Sequence, residues 1–222
     1  MTKSYRCAAV AAAMLAAPSA FAANAVVDGN FDNSINFDNS PSGFTTFDGG
    51  STLPGGPWVV TGASVDLIGT YWQSPSGASP PNGSVDLDGN APGGVEQTIF
   101  GLTSGKTYTL SFWLSGNPDG APATKSVDVS IGSVVSDNFT YTIGSNTHAD
   151  MMYALKTVTF TAGASNTLSF ASEDVGSPYG PVVGGVSIAA IPEPSTWVMM
   201  VAGFAGLSVF GYRARRRSAS AT

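Results

Sequence analysis

From Thr107 onward the chain alternates apolar and hydroxyl-bearing residues with a period of two. Tyr108, Leu110, Phe112 and Leu114 interleave with Thr107, Thr109, Ser111 and Trp113. Val127, Val129 and Ile131 interleave with Ser126, Asp128 and Ser130, and Val158 and Phe160 with Thr157, Thr159 and Thr161. Only an extended strand puts such residues on two opposite faces, so each run reads as a strand with one buried side. Phe139, Tyr141 and Ile143 form a further run, Leu168 and Phe170 follow the Gly163–Asn166 turn as the second arm of a hairpin, and Val186 and Ile188 close the series. No helical stripe persists anywhere between Ala25 and Ala190.

The turn residues between the runs, supplied from 27 glycines and 14 prolines, are too frequent for long elements. About eight to ten short strands are predicted, arranged as an all-β, jelly-roll β-sandwich over roughly 165 residues. The stretch from Asn33 to Pro57 reads as loops with one or two edge strands. Charged residues are only 11% while 43% are apolar, which excludes a disordered chain and a helical bundle alike. Between Ala23 and Ala190 there are 14 carboxylates against three lysines, a net charge of −11. Such a surface repels phosphate backbones, so nucleic acid is excluded as a partner.

The ends read as addresses. Residues 1–22 have a secretory signal pattern: Lys3 and Arg6, an apolar run from Cys7 to Ala17, and Ala20-Phe21-Ala22 as the cleavage site. Residues 23–190 are the mature domain. Cys7 is the only cysteine, which rules out an intramolecular disulfide and a cysteine zinc site. Residues 191–217 hold Pro192-Glu193-Pro194, an uncharged apolar segment from Trp197 to Tyr212, and Arg213, Arg215, Arg216 and Arg217; residues 218–222 are a tail. The segment is expected to be a single transmembrane helix of about 24 Å, slightly short for a hydrocarbon core of roughly 30 Å. The arginines beyond it obey the positive-inside rule.

This three-part tail resembles the PEP-CTERM sorting signal of Gram-negative bacteria. The resemblance implies export through the inner membrane, transient anchoring in it, processing by an exosortase-type membrane protease, and release or attachment outside in an exopolysaccharide or biofilm context. A plain C-terminal anchor is the alternative.

Val27-Asp28-Gly29-Asn30-Phe31-Asp32 resembles the opening of galactose-binding-like modules. The stretch from Gly62 to Trp72, together with Ser84–Gly89, Gly116–Gly120 and Tyr179–Pro181, is similar to the choice-of-anchor C family. The likeness implies a galactose-binding-like jelly roll, a fold common among carbohydrate-binding modules. Gly184-Gly185 departs from the acidic pair usual there, which implies that any site built on that pair is reduced or displaced. A weak echo links Ser64-Val65-Asp66-Leu67, Ser84-Val85-Asp86-Leu87 and Ser126-Val127-Asp128-Val129, as alternation in one sandwich produces.

Asp86 and Asp88 share a strand face opposite Val85 and Leu87. Three readings stand for them: a solvated edge or turn, calcium ligands joined by Asp28 and Asp32, or a glycosidase carboxylate pair. Calcium is the one cofactor in question, and Asp28 and Asp32 enter it mainly through the family likeness. Tyr71 and Trp72 in one loop, Tyr179 in another, and Trp113 on the hydroxyl face of its strand are candidates for stacking on a sugar ring. Covered or core aromatics are the alternative, and Trp58 is placed in the core. His148, in a polar loop, reads as a surface residue. No Gly-x-Ser-x-Gly elbow or phosphate loop occurs, so no enzyme is expected. The functional expectation is an extracellular carbohydrate-binding module, against a structural matrix protein or, third, a glycan-active enzyme.

Overall fold

The computed structural model describes residues 24–32, 42–75, 83–191 and 200–208. Among the described residues there are eleven strands: β1 (Phe44–Asp48), β2 (Val59–Gly62), β3 (Ser64–Ile68), β4 (Ser84–Asp86), β5 (Gly93–Thr98), β6 (Thr107–Gly116), β7 (Thr124–Ile131), β8 (Val135–Thr142), β9 (Ala154–Thr161), β10 (Thr167–Ser172) and β11 (Pro181–Ala190). They form two antiparallel sheets, a six-stranded one in the order β1-β3-β4-β11-β6-β9 and a five-stranded one in the order β2-β5-β10-β7-β8. β1 supplies the edge strand expected between Asn33 and Pro57.

The inward residues are those whose period-two pattern is strictest. Leu110, Phe112 and Leu114 on β6 and Val127, Val129 and Ile131 on β7 are fully buried. Phe112 meets Phe170 edge-to-face at 5.1 Å, and Trp58 bridges Phe170 and Phe31. Truncating a ring in this column, as in Phe112→Ala, costs about 3–5 kcal/mol.

The hairpin expected around Gly163–Asn166 is not formed. β9 pairs with β6 and β10 with β5 and β7, so that turn carries the chain from one sheet to the other. Alternation reports which residues share a face and is silent on the partner strand, which is why a short turn between two such runs reads equally well either way.

Gly29-Asn30-Phe31 closes one end of the sandwich. A Cβ on Gly29 would lie 2.0 Å from the carbonyl oxygen of Val186, whose N–H donates to Gly29 O at 2.8 Å. That close approach lets Phe31, at φ 50°, plug the core against Trp58. β11 carries a bulge between Gly184 and Ser187 on the outward face of the six-stranded sheet. Gly185, at φ 58°, leaves room for the Trp113 ring, and Gly184 leaves room for Pro75.

Beyond β11 the backbone N–H of Ile191 still bonds Thr107 O at 3.0 Å. Residues 200–208 are helical, about 13 Å of helix. Among the described residues no helix is long and apolar enough to cross a membrane, so the transmembrane helix expected at Trp197–Tyr212 is not shown. The signal peptide, Pro192-Glu193-Pro194 and Arg213, Arg215, Arg216 and Arg217 lie outside the described residues.

Candidate functional site

The outward face of the six-stranded sheet is not bare. In the register across it, Thr46, Asp66, Asp86, Val182 and Ser115 occupy one row on five neighbouring strands. The loops after β3 and β8 fold over this row. Ile68, Trp72, Met151 and Val182 form a second small core there, with Phe44, Tyr71 and Tyr153 packed on it. Gln73 N–H donates to His148 O at 2.7 Å and the Gln73 side chain accepts from Met151 N–H, which pins one loop to the other.

At the margin of this second core lies a cavity of about 270 Å³, lined by Phe44, Thr46, Asp66, Ile68, Tyr71, Trp72, Gly89, Asn90, Asn117, Asp119, Pro178 and Tyr179. Three of the sequence-predicted aromatics, Tyr71, Trp72 and Tyr179, therefore surround one hollow. Their roles differ. Trp72 is 5% exposed and its indole N–H donates to Ser84 Oγ at 3.0 Å, so it holds the loop down instead of presenting a face. Tyr71 is half-buried between Phe44, Trp72 and His148, with its ring 4.5 Å from the imidazole. Tyr179 lies flat against Gly120, where a Cβ would collide with its ring. Trp113 is half-buried under the β11 bulge and is not among the lining residues.

The polar wall is set from below by Asp86. Its Oδ1 accepts from the backbone N–H groups of Asp88 and Gly180, both at 3.0 Å, and its Oδ2 accepts from Asn117 Nδ2 at 2.7 Å. Asn117 Oδ1 in turn accepts the backbone N–H of Asp119 at 2.9 Å. The Asp119 carboxylate then receives the Tyr71 hydroxyl at 2.9 Å and meets His148 Nε2 at 2.7 Å. His148, expected as a plain surface residue, is thus a partner of the wall. Asp66 accepts the Thr46 hydroxyl at 2.5 Å; burial pushes its carboxyl above the usual range, with that hydrogen bond pulling the other way.

Asp86 and Asp88 are fully buried, which fits neither a solvated edge nor an open glycosidase pair, while the turn reading holds for Asp86, whose Oδ1 takes the Asp88 N–H two residues on. Burial holds Asp86 well above the ordinary carboxylate range against the pull of its donors. Burial likewise pushes Asp88 up to about 6, with the Ser172 hydroxyl and Lys125 opposing and Asp174 adding to the rise.

Lys125 is the unforeseen member. It is fully buried at the end of β7, and its ammonium donates to the carbonyls of Gly120, at 3.0 Å, and Tyr179. It thereby fixes both segments that carry the cavity rim. The signal was present: Lys125 shares the face of Val127, Val129 and Ile131.

The four carboxylates considered for calcium do not gather. Asp28 and Asp32 line a separate hollow with Asn24 and Gly55, and among the described residues no group of three or more acidic, histidine or cysteine side chains could hold a metal ion. Backbone and amide donors occupy the oxygens of Asp86, whereas, among the described residues, both carboxylate oxygens of Asp88 are buried without a hydrogen-bond partner.

Residues 190–217 match the PEP-CTERM protein-sorting motif. The chain is also 35% identical over 107 residues to halomucin of Haloquadratum walsbyi, a match covering 47% of this chain and 1% of that protein. The chain thus spans a very small part of the curated relative it matches. Among solved structures it is similar to a family 35 carbohydrate-binding module from Clostridium thermocellum, at 14% identity and a TM-score of 0.42, covering 66% of this chain and 98% of that one. It is also similar to the CBM22-1 xylan-binding domain of Paenibacillus barcinonensis Xyn10C, at 14% identity and a TM-score of 0.39, covering 67% and 94%. Neither overlap is close enough to transfer a site.

Proposed function

We propose that this is an exported, non-catalytic carbohydrate-binding protein, sorted to the cell surface through its C-terminal motif by an exosortase-type protease. The observation that carries the binding reading is the cavity beside the second core. Tyrosine rings at its rim can meet the apolar face of a sugar, while Asn90, Asn117 and Asp66 offer donors and acceptors for hydroxyls. A cavity held open by a buried polar network is pre-organised, which lowers the ordering cost of binding. The choice-of-anchor C assignment and its galactose-binding-like jelly roll belong to the same reading, supported by the structural role of Gly29 and Phe31 in the motif that suggested them.

The experiment is retention of the full chain on a panel of insoluble polysaccharides, with reducing ends assayed in the supernatant. Expected is retention on at least one glycan, reduced at least tenfold in Tyr179→Ala and Tyr71→Ala, with no release of reducing ends. Absence of retention by folded protein favours a structural matrix role; release of reducing ends lost in Asp66→Asn favours an enzyme. Calcium is proposed only for the hollow at Asp28 and Asp32, where a calcium-dependent rise in melting temperature should vanish in Asp32→Asn.

A further inference from the structure

We infer that the cavity selects a sugar carrying a free amino group, with the ammonium placed on Asp66. This rests on reading the cavity as a glycan site. Among the described residues two carboxylates, Asp66 and Asp119, line it, and no lysine, arginine or histidine does. Their situations differ. Asp119 has one oxygen on the Tyr71 hydroxyl and the other on His148, so both are engaged by the protein. Asp66 has one oxygen on the Thr46 hydroxyl and stands half-buried at the cavity wall, with Asp86 directly opposite it on β4 and no cation among the lining residues.

Lys125 does not compensate Asp66, because its ammonium is turned to the carbonyls of Gly120 and Tyr179. A uronic acid or sulfated sugar brought here would place like charges together at reduced dielectric, whereas a protonated primary amine supplies the missing charge and three donors. The remaining contacts, tyrosine rings and asparagine amides, serve any hexose and do not discriminate. Charge is what sets the preference.

The test uses the full chain, immobilised, with three soluble oligosaccharides of equal length: a β-1,4-glucosamine oligomer, its fully N-acetylated counterpart and an oligogalacturonate, at pH 6 and moderate salt. Expected is at least tenfold tighter binding of the free-amine oligomer than of the acetylated one, and no binding of the acidic one. The preference should fall to within about twofold in Asp66→Asn, with the melting temperature confirming that this variant folds. Asp137→Asn, on the opposite sheet, controls for diffuse attraction to an acidic protein and should keep the preference. Equal or tighter binding of the acetylated oligomer overturns the amine inference and leaves the glycan reading standing, as does tighter binding of the acidic one. Loss of the preference in Asp137→Asn to the same degree also overturns it. Binding of none of the three, nor of any polysaccharide on the panel above, sinks both readings.

Discussion

Asp66 and Asp86 stand directly opposite each other on paired strands of the six-stranded sheet, both on the face turned away from the main core. One forms part of the cavity wall. The other is sealed beneath the loops and gathers donors from three segments of chain. The repeated Ser-Val-Asp-Leu sequence that contains them is explained by this pairing, since two adjacent strands with valine and leucine inward must turn their aspartates to the same side.

Asp86→Ala leaves the N–H groups of Asp88 and Gly180 and the Asn117 amide without their acceptor. Each orphaned buried donor costs about 1–3 kcal/mol, and the loops carrying Asn117 and Gly180 absorb part of that by moving. A net loss of about 3 kcal/mol is expected in urea unfolding, together with loss of glycan retention. Retention at wild-type level would show that Asp86 does not position the cavity wall.

Lys125→Met keeps the apolar stem and removes the charge. Each buried carbonyl left without its donor, at Gly120 and Tyr179, costs about 1–3 kcal/mol, and the favourable field at Asp174, Asp86 and Asp88 is lost with the charge. The melting temperature should fall steeply. A change of less than about 1 kcal/mol would mean that water replaces the ammonium freely.

The protein should be more stable at pH 5 than at pH 7.5. Asp88, pushed up to about 6, takes its proton in the folded state before the unfolded chain does, so its contribution is full below the ordinary value of 3.8 and is lost as pH rises through about 6. Asp66, Asp86 and Asp174 shift in the same direction. About 1–3 kcal/mol of extra stability is expected from Asp88. Urea midpoints across this range should show it, and Asp88→Asn should flatten the curve. A midpoint that rises with pH would contradict the assignment.

Gly29→Ala tests the closure at the sandwich end. Its Cβ would lie 2.0 Å from a backbone oxygen, which cannot rotate away. The variant should lose at least about 2 kcal/mol, comparable to overpacking a core, with quenching or red shift of Trp58 fluorescence as Phe31 leaves it. Wild-type stability would require that β11 shifts without penalty.

Much of the main core was legible because strict alternation marks a face: Phe112, Val129 and Phe170 are inward where the pattern puts them. The cavity was legible only in pieces. Tyr71 and Tyr179 are conspicuous as loop aromatics, yet nothing local separates Trp72, which became a plug, from its neighbour. Asp119 lies in the Gly116–Gly120 stretch that carries the family likeness and His148 in a polar loop, but neither position declares its partner, since a polar residue in a turn looks the same whether it faces water or a tyrosine hydroxyl. Lys125 is readable by parity, against the rarity with which a charge occupies an inward position.

By itself the amino-acid order determined that this chain makes strands, which side chains of each strand share a face, that its middle is strongly acidic, and that residues 190–217 carry a sorting motif. These are short-range properties, set by the pleat and by residue chemistry within a few positions. The tertiary structure decided which sheet each strand joins, that two aspartates of a polar-looking motif are buried with a lysine, and that residues from Phe44 to Tyr179 meet around one cavity. Those outcomes depend on loops packing over a sheet face and on hydrogen bonds between distant segments, and no periodicity along the chain encodes the partner at the far end of such a contact.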